Sequence, residues 1–422
     1  MTLDPVHVDG IAALARALAD DVDDTDHTDL ARTVWDEWLD PLRDDRRTVV
    51  EPLGEQSLRA ADIDDVALTE RPFPTVHGLD SGTINPTTFK NGLVLDMAHA
   101  AMASVPSDLD LHRSRSIVLT THTNDTYAKL GTDWQTHDEA YSRLRILQAP
   151  NVNRYAEGVV HALALYLAES EHALRHADDV SDLLLLDGPI YPKELFNWRD
   201  RDAELRELAE EAKPKQIVEN YVRLVERFVE RDVPLAGFVK NPMSKLVTRT
   251  LQTKRVDAPW ADDTALFTRL LEPRQGSNGN DDGSDDAARR TTDLTFTSWF
   301  VSRGGSDRTL AADGDALGVE RNLDPELYEV TFFVLYDPRH DVLYKVESPY
   351  AFTRDAELRA RLTRQILHDV AGARGPPPAV AKADELARIS THEKASLRRK
   401  LEEDVGSEYV RTYNGIRWGD LF

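Results

Sequence analysis

Three acidic residues lie at points of the sequence from which a folded chain could bring their carboxylates together. Asp80 ends the segment "HGLD", Asp187 ends the apolar run "LLLLD", and Glu157 lies at the start of the helical pattern that leads into this run. Ligands of α/β sheets bind at the carboxyl ends of the strands, so carboxylates at two strand ends and at a helix start can converge. Because clustered carboxylates repel, they are stable when a divalent cation neutralises them, and oxygen ligands suit Mg²⁺ or Mn²⁺. Two such ions can activate water and stabilise the leaving oxygen in phosphodiester cleavage.

Each of these residues also has a purely structural explanation. Asp–Ser and Asp–Gly pairs after a strand are common in turns, and a glutamate in the first turn of a helix is stabilised by the helix dipole. Glu169 and Glu171 are alternatives to Glu157, because they lie closer in sequence to Asp187. Glu157 is favoured because the start of this helix lies at the edge where the strands end, whereas residues three turns later are carried towards the opposite edge.

The elements around these residues predict an α/β core. Residues 183–187 form a short apolar run of the kind found in a strand that is buried on both faces. A long amphipathic helix is predicted before this strand, over residues 153–179. A second helix over 214–232 and a strand over 235–240 follow it. This alternation of strands and helices predicts a sheet with parallel strands.

The remaining segments add further elements at both ends of this core. Residues 1–70 show helical spacing of apolar residues and are acidic. Strands are predicted over residues 92–105 and 114–125, and a hairpin over residues 328–349. Residues 273–293 are polar and of low complexity, which predicts a flexible surface insertion.

The composition limits the class of protein and its environment. The chain has 422 residues, no cysteine and a formal net charge of −24, from 51 basic and 75 acidic residues. The lack of cysteine excludes disulfides and cysteine-ligated zinc. No run reaches the roughly 18 apolar residues of a membrane span, so a cytoplasmic protein is expected.

The acidic residues are spread along the whole chain, which indicates a salt-rich cytoplasm. At 1 M salt the Debye length is about 3 Å, so the net charge of the protein is screened over short distances. The negative net charge therefore does not exclude a partner such as DNA.

Five segments in the same order resemble the NurA nuclease family, whose members have a ribonuclease-H-like core. They are "HGLDSGT", "LLLLDGPI", "GFVKNPMSKLV", "YEVTFFVLYDPRHDVLYKVESP" and "GPPPAVAKADELARIS", and they run from about residue 75 to about residue 392. The resemblance implies an α/β fold in which a ribonuclease-H-like mixed sheet is flanked by helices, with strands and helices added at the C-terminal end. It predicts a nuclease domain over residues 71–392, preceded by a helical region at 1–70 and followed by a tail at 393–422.

The resemblance also implies a function. Asp80, Glu157 and Asp187 would bind Mn²⁺ or Mg²⁺, and the protein would cut single-stranded DNA internally and degrade it from 5′ to 3′. It would act in the resection of DNA ends as a homodimer docked on a hexameric HerA-type ATPase. Lys240 ends the predicted strand "LAGFVK" and Lys245 follows it, and in a chain with few lysines both are expected to contact DNA phosphates. The alternative for these two lysines is a solvated loop.

Two positions depart from the family pattern. Where the family has a tyrosine and a histidine in its last segment, this chain has Pro376 and Asp384. Asp384 would supply a fourth carboxylate to the catalytic site, and the alternative is a surface residue of a helix. These departures motivate a second hypothesis, in which the protein is a catalytically impaired adaptor subunit of the complex with the HerA-type ATPase. A small-molecule α/β enzyme is disfavoured, because the sequence has neither a glycine-rich phosphate loop nor a Ser–His–Asp order typical of hydrolases.

Overall fold

The computed structural model describes residues 3–21, 27–272, 290–411 and 413. The insertion predicted at residues 273–293 therefore lies outside the described residues, except for its last four positions. Within the described ranges, no helix is both long enough and apolar enough to cross a bilayer.

The described strands all belong to one sheet and are numbered here in chain order. They are β1 (Leu42–Asp44), β2 (Arg47–Pro52), β3 (Leu58–Asp62), β4 (Val76–Thr83), β5 (Thr87–Thr88), β6 (Val94–Val105), β7 (Arg115–His122), β8 (Gln135–His137), β9 (Ser142–Gln148), β10 (Leu183–Asp187), β11 (Leu235–Val239), β12 (Asp293–Thr297), β13 (Phe300–Ser302), β14 (Val330–Asp337) and β15 (Val342–Pro349).

The α-helices of the described residues are also numbered in chain order. They are α1 (Pro5–Asp21), α2 (His27–Trp38), α3 (Ile63–Ala67), α4 (Leu109–Arg113), α5 (Ala156–Arg175), α6 (Lys193–Arg201), α7 (Ala203–Ala209), α8 (Ala212–Glu230), α9 (Leu246–Thr253), α10 (Asp263–Leu271), α11 (Tyr350–Thr353), α12 (Ala356–Ala373), α13 (Pro378–Ala387) and α14 (Thr391–Val405). Short 3₁₀ turns lie at Asp138–Ala140, Gly305–Leu310, Ala316–Gly318 and Pro325–Tyr328.

Five strands form the centre of the sheet, in the order β7-β6-β4-β10-β11. The first three pair in antiparallel fashion, whereas β10 pairs in parallel with both β4 and β11. Helix α5 lies in sequence between these two groups of strands and packs on β6 and β7. Numbered along the chain within the core, the strand order is 3-2-1-4-5, which is the ribonuclease-H-like arrangement. The predicted fold class, a mixed sheet flanked by helices, is confirmed.

Further strands extend the sheet on both sides of this core. The predicted C-terminal hairpin is present, since β14 and β15 pair in antiparallel register from Val330 opposite Pro349 to Asp337 opposite Val342. The N-terminal region is helical only in part, because β1, β2 and β3 also lie within residues 1–70. Strand β2 carries the buried Val49 and Val50 and pairs with β13, so β-branched residues are used here to extend the sheet.

The apolar run at the centre of the sheet is buried on both faces, as predicted. Leu184 and Leu186 pack in the core that contains α5, whereas Leu183 and Leu185 pack in the core that contains α12 and α13. Side chains alternate between the faces of a strand, so the next residue, Asp187, lies on the face of α12 and α13. The buried run therefore fixes the direction of the carboxylate that ends it.

Two glycines allow α13 to lie directly on β4. A Cβ atom added to Gly78 would lie 2.1 Å from the carbonyl oxygen of Ala379, and one added to Gly82 would lie 1.9 Å from that of Ala387. The backbone of the helix therefore touches the backbone of the strand near both ends of the helix. Asp80 lies midway between the two glycines, and Asp384 lies on the stretch of helix between the two contacts. The close approach brings these two carboxylates to the same place.

We expect Gly82→Ala to push α13 away from β4. The added methyl group has no space against a backbone carbonyl, so the free energy of unfolding should fall by about 1–3 kcal/mol, as for an overpacked core. Urea unfolding followed by circular dichroism measures this change. Gly372→Ala is the matched control, because this helical glycine has open space around it and the substitution should be neutral or stabilising. Equal stability of Gly82→Ala and the wild type would contradict the close packing.

Candidate metal centre

The carboxylates of Asp80, Asp187 and Asp384 lie together on one face of the sheet, where β10 ends. Each offers one oxygen atom, and these atoms all lie within 4.8 Å of one another. Asp80 and Asp187 are neighbours because β4 and β10 pair in parallel, with Leu79 opposite Leu186. Asp384 reaches the pair from α13. Among the residues that the structure describes, no other group of acidic or histidine side chains has this spacing. These three residues are called the carboxylate cluster below.

A lysine ammonium lies against the carboxylate cluster. Lys240 directly follows β11, and its Nζ atom lies 2.6 Å from Oδ2 of Asp187 and 3.6 Å from Oδ2 of Asp384. Burial lowers the pKa of Lys240, but the hydrogen bond to Asp187 and the charges of the three aspartates outweigh it, so that its pKa is raised. Lys240 is therefore charged, and its charge offsets part of the repulsion within the cluster. The sequence predicted a phosphate contact for this lysine, whereas the structure shows its contact with the carboxylates.

The electrostatics of the carboxylate cluster favour an added cation. Burial, followed by the charges of Asp187 and Glu169, raises the pKa of Asp80 to about 8, although its carboxylate accepts a hydrogen bond of 2.7 Å from the backbone N–H of Ser81. Burial also raises the pKa of Asp187, against the opposing effect of Lys240. Partly desolvated carboxylate oxygens that repel one another are the donor set that hard cations such as Mg²⁺ and Mn²⁺ prefer. The residues therefore fit a divalent metal ion.

Glu169 lies near the cluster but approaches from the other face of the sheet. Its Oε1 accepts a hydrogen bond of 2.6 Å from the hydroxyl of Ser81, and its Oε2 accepts one of 3.1 Å from the hydroxyl of Tyr221. Burial raises the pKa of Glu169 to about 7, although both hydrogen bonds favour the charged form. The charge of Glu169 helps to raise the pKa of Asp80. Its hydrogen bond with Ser81 also holds the residue of β4 that adjoins Asp80. The sequence placed it among the alternatives to Glu157.

The choice of Glu157 as the third carboxylate is corrected by the structure. Glu157 is exposed and accepts a hydrogen bond of 2.9 Å from the hydroxyl of Thr88, outside the carboxylate cluster. Thr83, the last residue of β4, lies opposite Ala98 of β6. From Ala98, β6 extends four residues further, to Val94, past the end of β4. Helix α5 begins over this extension. Asp80 therefore lies beside a later part of the helix. Twelve residues of helix separate Glu157 from Glu169, or about 18 Å.

Asp384 belongs to the cluster, although the sequence left its position open between the site and the helix surface. Its side chain is still 57% exposed, so it lies at the rim of the cluster, whereas that of Asp187 is only 12% exposed. The signal in the sequence was the spacing of Gly78 and Gly82 on either side of Asp80, which permits a helix to lie on the strand.

A comparison with known protein families identifies the family of this chain. A family model described as "NurA domain" matches residues 74–389, about three quarters of the chain. The chain belongs to the NurA family of nucleases. The match includes Asp80, Asp187, Lys240 and Asp384. No functionally curated protein has a significant sequence match to this NurA chain.

Solved NurA structures are similar to this chain at low sequence identity. The NurA nuclease from Sulfolobus solfataricus is 12% identical, with a TM-score of 0.48, over 95% of this chain and 98% of that chain. A NurA bound to dAMP and manganese is also 12% identical, with a TM-score of 0.42, over 97% of this chain and 99% of that chain. A NurA with manganese is 11% identical, with a TM-score of 0.38, over 81% of this chain and 95% of that chain.

The second predicted lysine of the NurA domain lies away from the carboxylate cluster. Lys245 immediately precedes α9, is exposed, and lines a cleft together with Lys193, Arg249 and Lys345. Arg249 is a residue that the sequence analysis missed. The signal was its position four residues after Lys245, which places it one helical turn further along the chain.

We expect the metal-free protein to lose stability as the pH rises, in part because of Asp80. A folded pKa of about 8 lies above the unfolded value of about 3.9, so the folded state holds the proton more tightly. The stability that this proton contributes is full below about pH 4 and is lost as the pH rises to about 8. Asp80→Asn should therefore raise Tm in EDTA at pH 8, by roughly 2–4 °C.

The measurement is thermal unfolding in EDTA between pH 5 and pH 8.5. Glu157→Gln is the control, because it also removes one carboxylate but lies outside the cluster. Identical slopes of Tm against pH for Asp80→Asn and the wild type would contradict the burial and repulsion at Asp80.

Proposed function

We propose that this protein is a divalent-metal-dependent deoxyribonuclease whose active centre is the carboxylate cluster. The observation that carries the proposal is the meeting of Asp80, Asp187 and Asp384 within 4.8 Å in a chain of the NurA family. The nuclease class itself follows from the family, and the use of a metal and of DNA is the part proposed.

The three aspartates would hold Mn²⁺ or Mg²⁺. A bound ion of this kind would supply an activated water and stabilisation of the leaving oxygen in phosphodiester hydrolysis. Lys240 contributes a fixed positive charge beside Asp187 and Asp384, where it can bind a phosphate oxygen of the substrate once the carboxylates are neutralised. Burial of the centre in the sheet edge strengthens each of these electrostatic interactions.

The finer activity that we propose follows the family resemblance. It comprises internal cutting of single-stranded DNA and 5′-to-3′ degradation, in the cytoplasm, during the resection of DNA ends. The protein would work as a homodimer together with a hexameric HerA-type ATPase. Reconstitution with such an ATPase and a 5′-labelled or 3′-labelled duplex would test the polarity and the partnership.

The alternative function is a catalytically impaired adaptor for the same ATPase. Pro376 and Asp384, where the family pattern has tyrosine and histidine, are the observation in its favour. The position of Asp384 in the carboxylate cluster counts against it, because the residue would supply an oxygen ligand in place of the imidazole. Nuclease activity of the purified protein with Mn²⁺ separates the two functions.

We expect Asp187→Asn to lower the rate of DNA cleavage in Mn²⁺ by a factor of about 10³ or more, since it removes a metal ligand and a negative charge at the centre of the cluster. A 5′-labelled single strand on a denaturing gel measures the rate. Glu157→Gln is the matched control and should cleave at the wild-type rate. Full activity of Asp187→Asn would overturn the assignment of the centre, and loss of activity in Glu157→Gln would restore Glu157 to it.

A second pair of variants tests the role of Asp384. If its carboxylate binds the metal, Asp384→Ala should raise the Mn²⁺ concentration at half-maximal rate by roughly tenfold or more, since even the loss of a residue that only supports a ligand costs about 10–100-fold in metal affinity. Asp384→His should retain activity, because an imidazole can also bind Mn²⁺. A titration of the cleavage rate with Mn²⁺ measures both. An unchanged midpoint in Asp384→Ala would show that Asp384 is only a neighbour of the site.

A further inference from the structure

A cleft of about 620 Å³ opens at the same edge of the sheet as the carboxylate cluster but on the opposite face. Its lining includes Pro189, two residues after Asp187, and Val239, one residue before Lys240. Side chains alternate along a strand, so Val239 faces the cleft while Lys240 faces the cluster. A chain-like ligand that lies in this cleft can therefore reach the carboxylate cluster by crossing the edge of the sheet.

The floor of the cleft is a buried network of paired charges. One oxygen of Glu347 accepts hydrogen bonds from Lys193 at 2.6 Å and from Lys345 at 2.8 Å, and Lys193 also lies 2.7 Å from Asp307. The side chains of Glu347 and Asp307 are only 1% and 6% exposed. Two ammonium groups are thus balanced by two carboxylates, so the floor is polar and rigid but has no excess charge.

One wall of the cleft carries the excess positive charge. Lys245 and Arg249 are both exposed and line the cleft from the start of α9. In the part of the chain that the structure describes, neither forms an ion pair, whereas the lysines of the floor do. Buried Asp263 accepts hydrogen bonds from the backbone N–H groups of Val247 and Thr248, at 3.2 and 2.9 Å, and so fixes the start of this helix. The two cations are therefore held on this wall without an ion-pair partner among the described residues. Asp44 of β1 also lines the cleft, so the lining has four positive and three negative side chains and an excess of one positive charge.

We propose that this cleft binds the single-stranded segment of DNA on one side of the scissile phosphate, with Lys245 and Arg249 contacting successive phosphates. This inference rests on the proposed nuclease function, and it names the part of the protein that holds the substrate. Lys245 is the N-cap of α9, and the backbone N–H of Arg249 donates to its carbonyl oxygen at 3.0 Å, so the two side chains leave the chain one helical turn apart and can reach neighbouring phosphates of one strand. The volume is that of a small-ligand pocket, so the cleft takes a few nucleotides of one strand. Contacts to phosphates hold the strand in register without selecting its sequence.

The test is the double variant with Lys245→Ala and Arg249→Ala. Two substrates are compared in Mn²⁺: a single-stranded oligonucleotide, which reaches the cleft, and bis(p-nitrophenyl) phosphate, which is too short to do so. We expect KM for the oligonucleotide to rise roughly tenfold at an unchanged kcat, uniformly across sequences. Hydrolysis of the small diester should stay at the wild-type rate. The slope of log binding constant against log salt should become shallower by about 1.4, or about 0.7 for each lost contact to a single strand.

The matched control has Lys213→Ala and Lys215→Ala, on α8, where neither residue lines the cleft. It removes the same charge and should leave KM and the salt slope unchanged. A second measurement uses oligonucleotides with one neutral methylphosphonate linkage at successive positions. In the wild type this linkage should slow cleavage at positions on one side of the scissile bond only, and in the double variant those positions should lose their effect.

Unchanged KM and salt slope in the double variant, or a change equal to that of the control, would overturn the proposal while leaving the nuclease function intact. If the wild type hydrolyses neither substrate, the proposed function fails. Fluorescence anisotropy with a labelled oligonucleotide then still decides about the cleft, because the double variant should bind roughly tenfold more weakly than the wild type.

Discussion

The repulsion among three carboxylates at one edge of the sheet is the constraint on which the rest of the site depends. Two like charges about 4 Å apart repel by roughly 4 kcal/mol at an effective dielectric constant of 20. Free side chains would separate under this force, and Lys240 offsets only part of it. The positions of Asp80 and Asp187 are nevertheless fixed, because each lies in a strand whose preceding residues are buried. The hydrophobic burial of these strands, assisted by the ion pair of Lys240 with Asp187, holds the two side chains together.

The same reasoning explains which parts of the site could be predicted from the sequence. The run that ends at Asp187 is short, apolar and bounded by Gly188, so both the strand and the direction of its last side chain follow from alternation. The α/β core with parallel strands follows from the order of the elements, and its ribonuclease-H-like arrangement was implied by the family resemblance. The strands in the N-terminal region were missed, because short strands such as β1 and β2 gain their stability from pairing with distant partners such as β13, which local spacing does not reveal.

The error at Glu157 has a geometric cause that the sequence conceals. The prediction that a helix begins level with the ends of the strands holds when strands and helix have matched lengths. Here β6 spans 12 residues and β4 only 8, so α5 begins beyond the end of β4. Asp384 was uncertain for a related reason, since its distance from Asp80 depends on backbone contact between α13 and β4. Gly78 and Gly82 permit that contact, but glycine in a strand has several other uses.

Strand β4 joins the two faces of the sheet at the site. Asp80 faces α13 and the cluster, while the next residue, Ser81, bonds Glu169 on the side of α5 and α8. Glu169 also accepts a hydrogen bond from the hydroxyl of Tyr221 on α8. A chain of hydrogen bonds therefore links α8 through Glu169 to Ser81, the residue next to Asp80. Local pairing matters more than net charge in such a chain, as Lys193, Lys240 and Lys345 are all bound to carboxylates while Lys245 and Arg249 are not. In a protein with a net charge of −24, what sets Lys245 and Arg249 apart is that both line a cleft at the sheet edge that carries the carboxylate cluster.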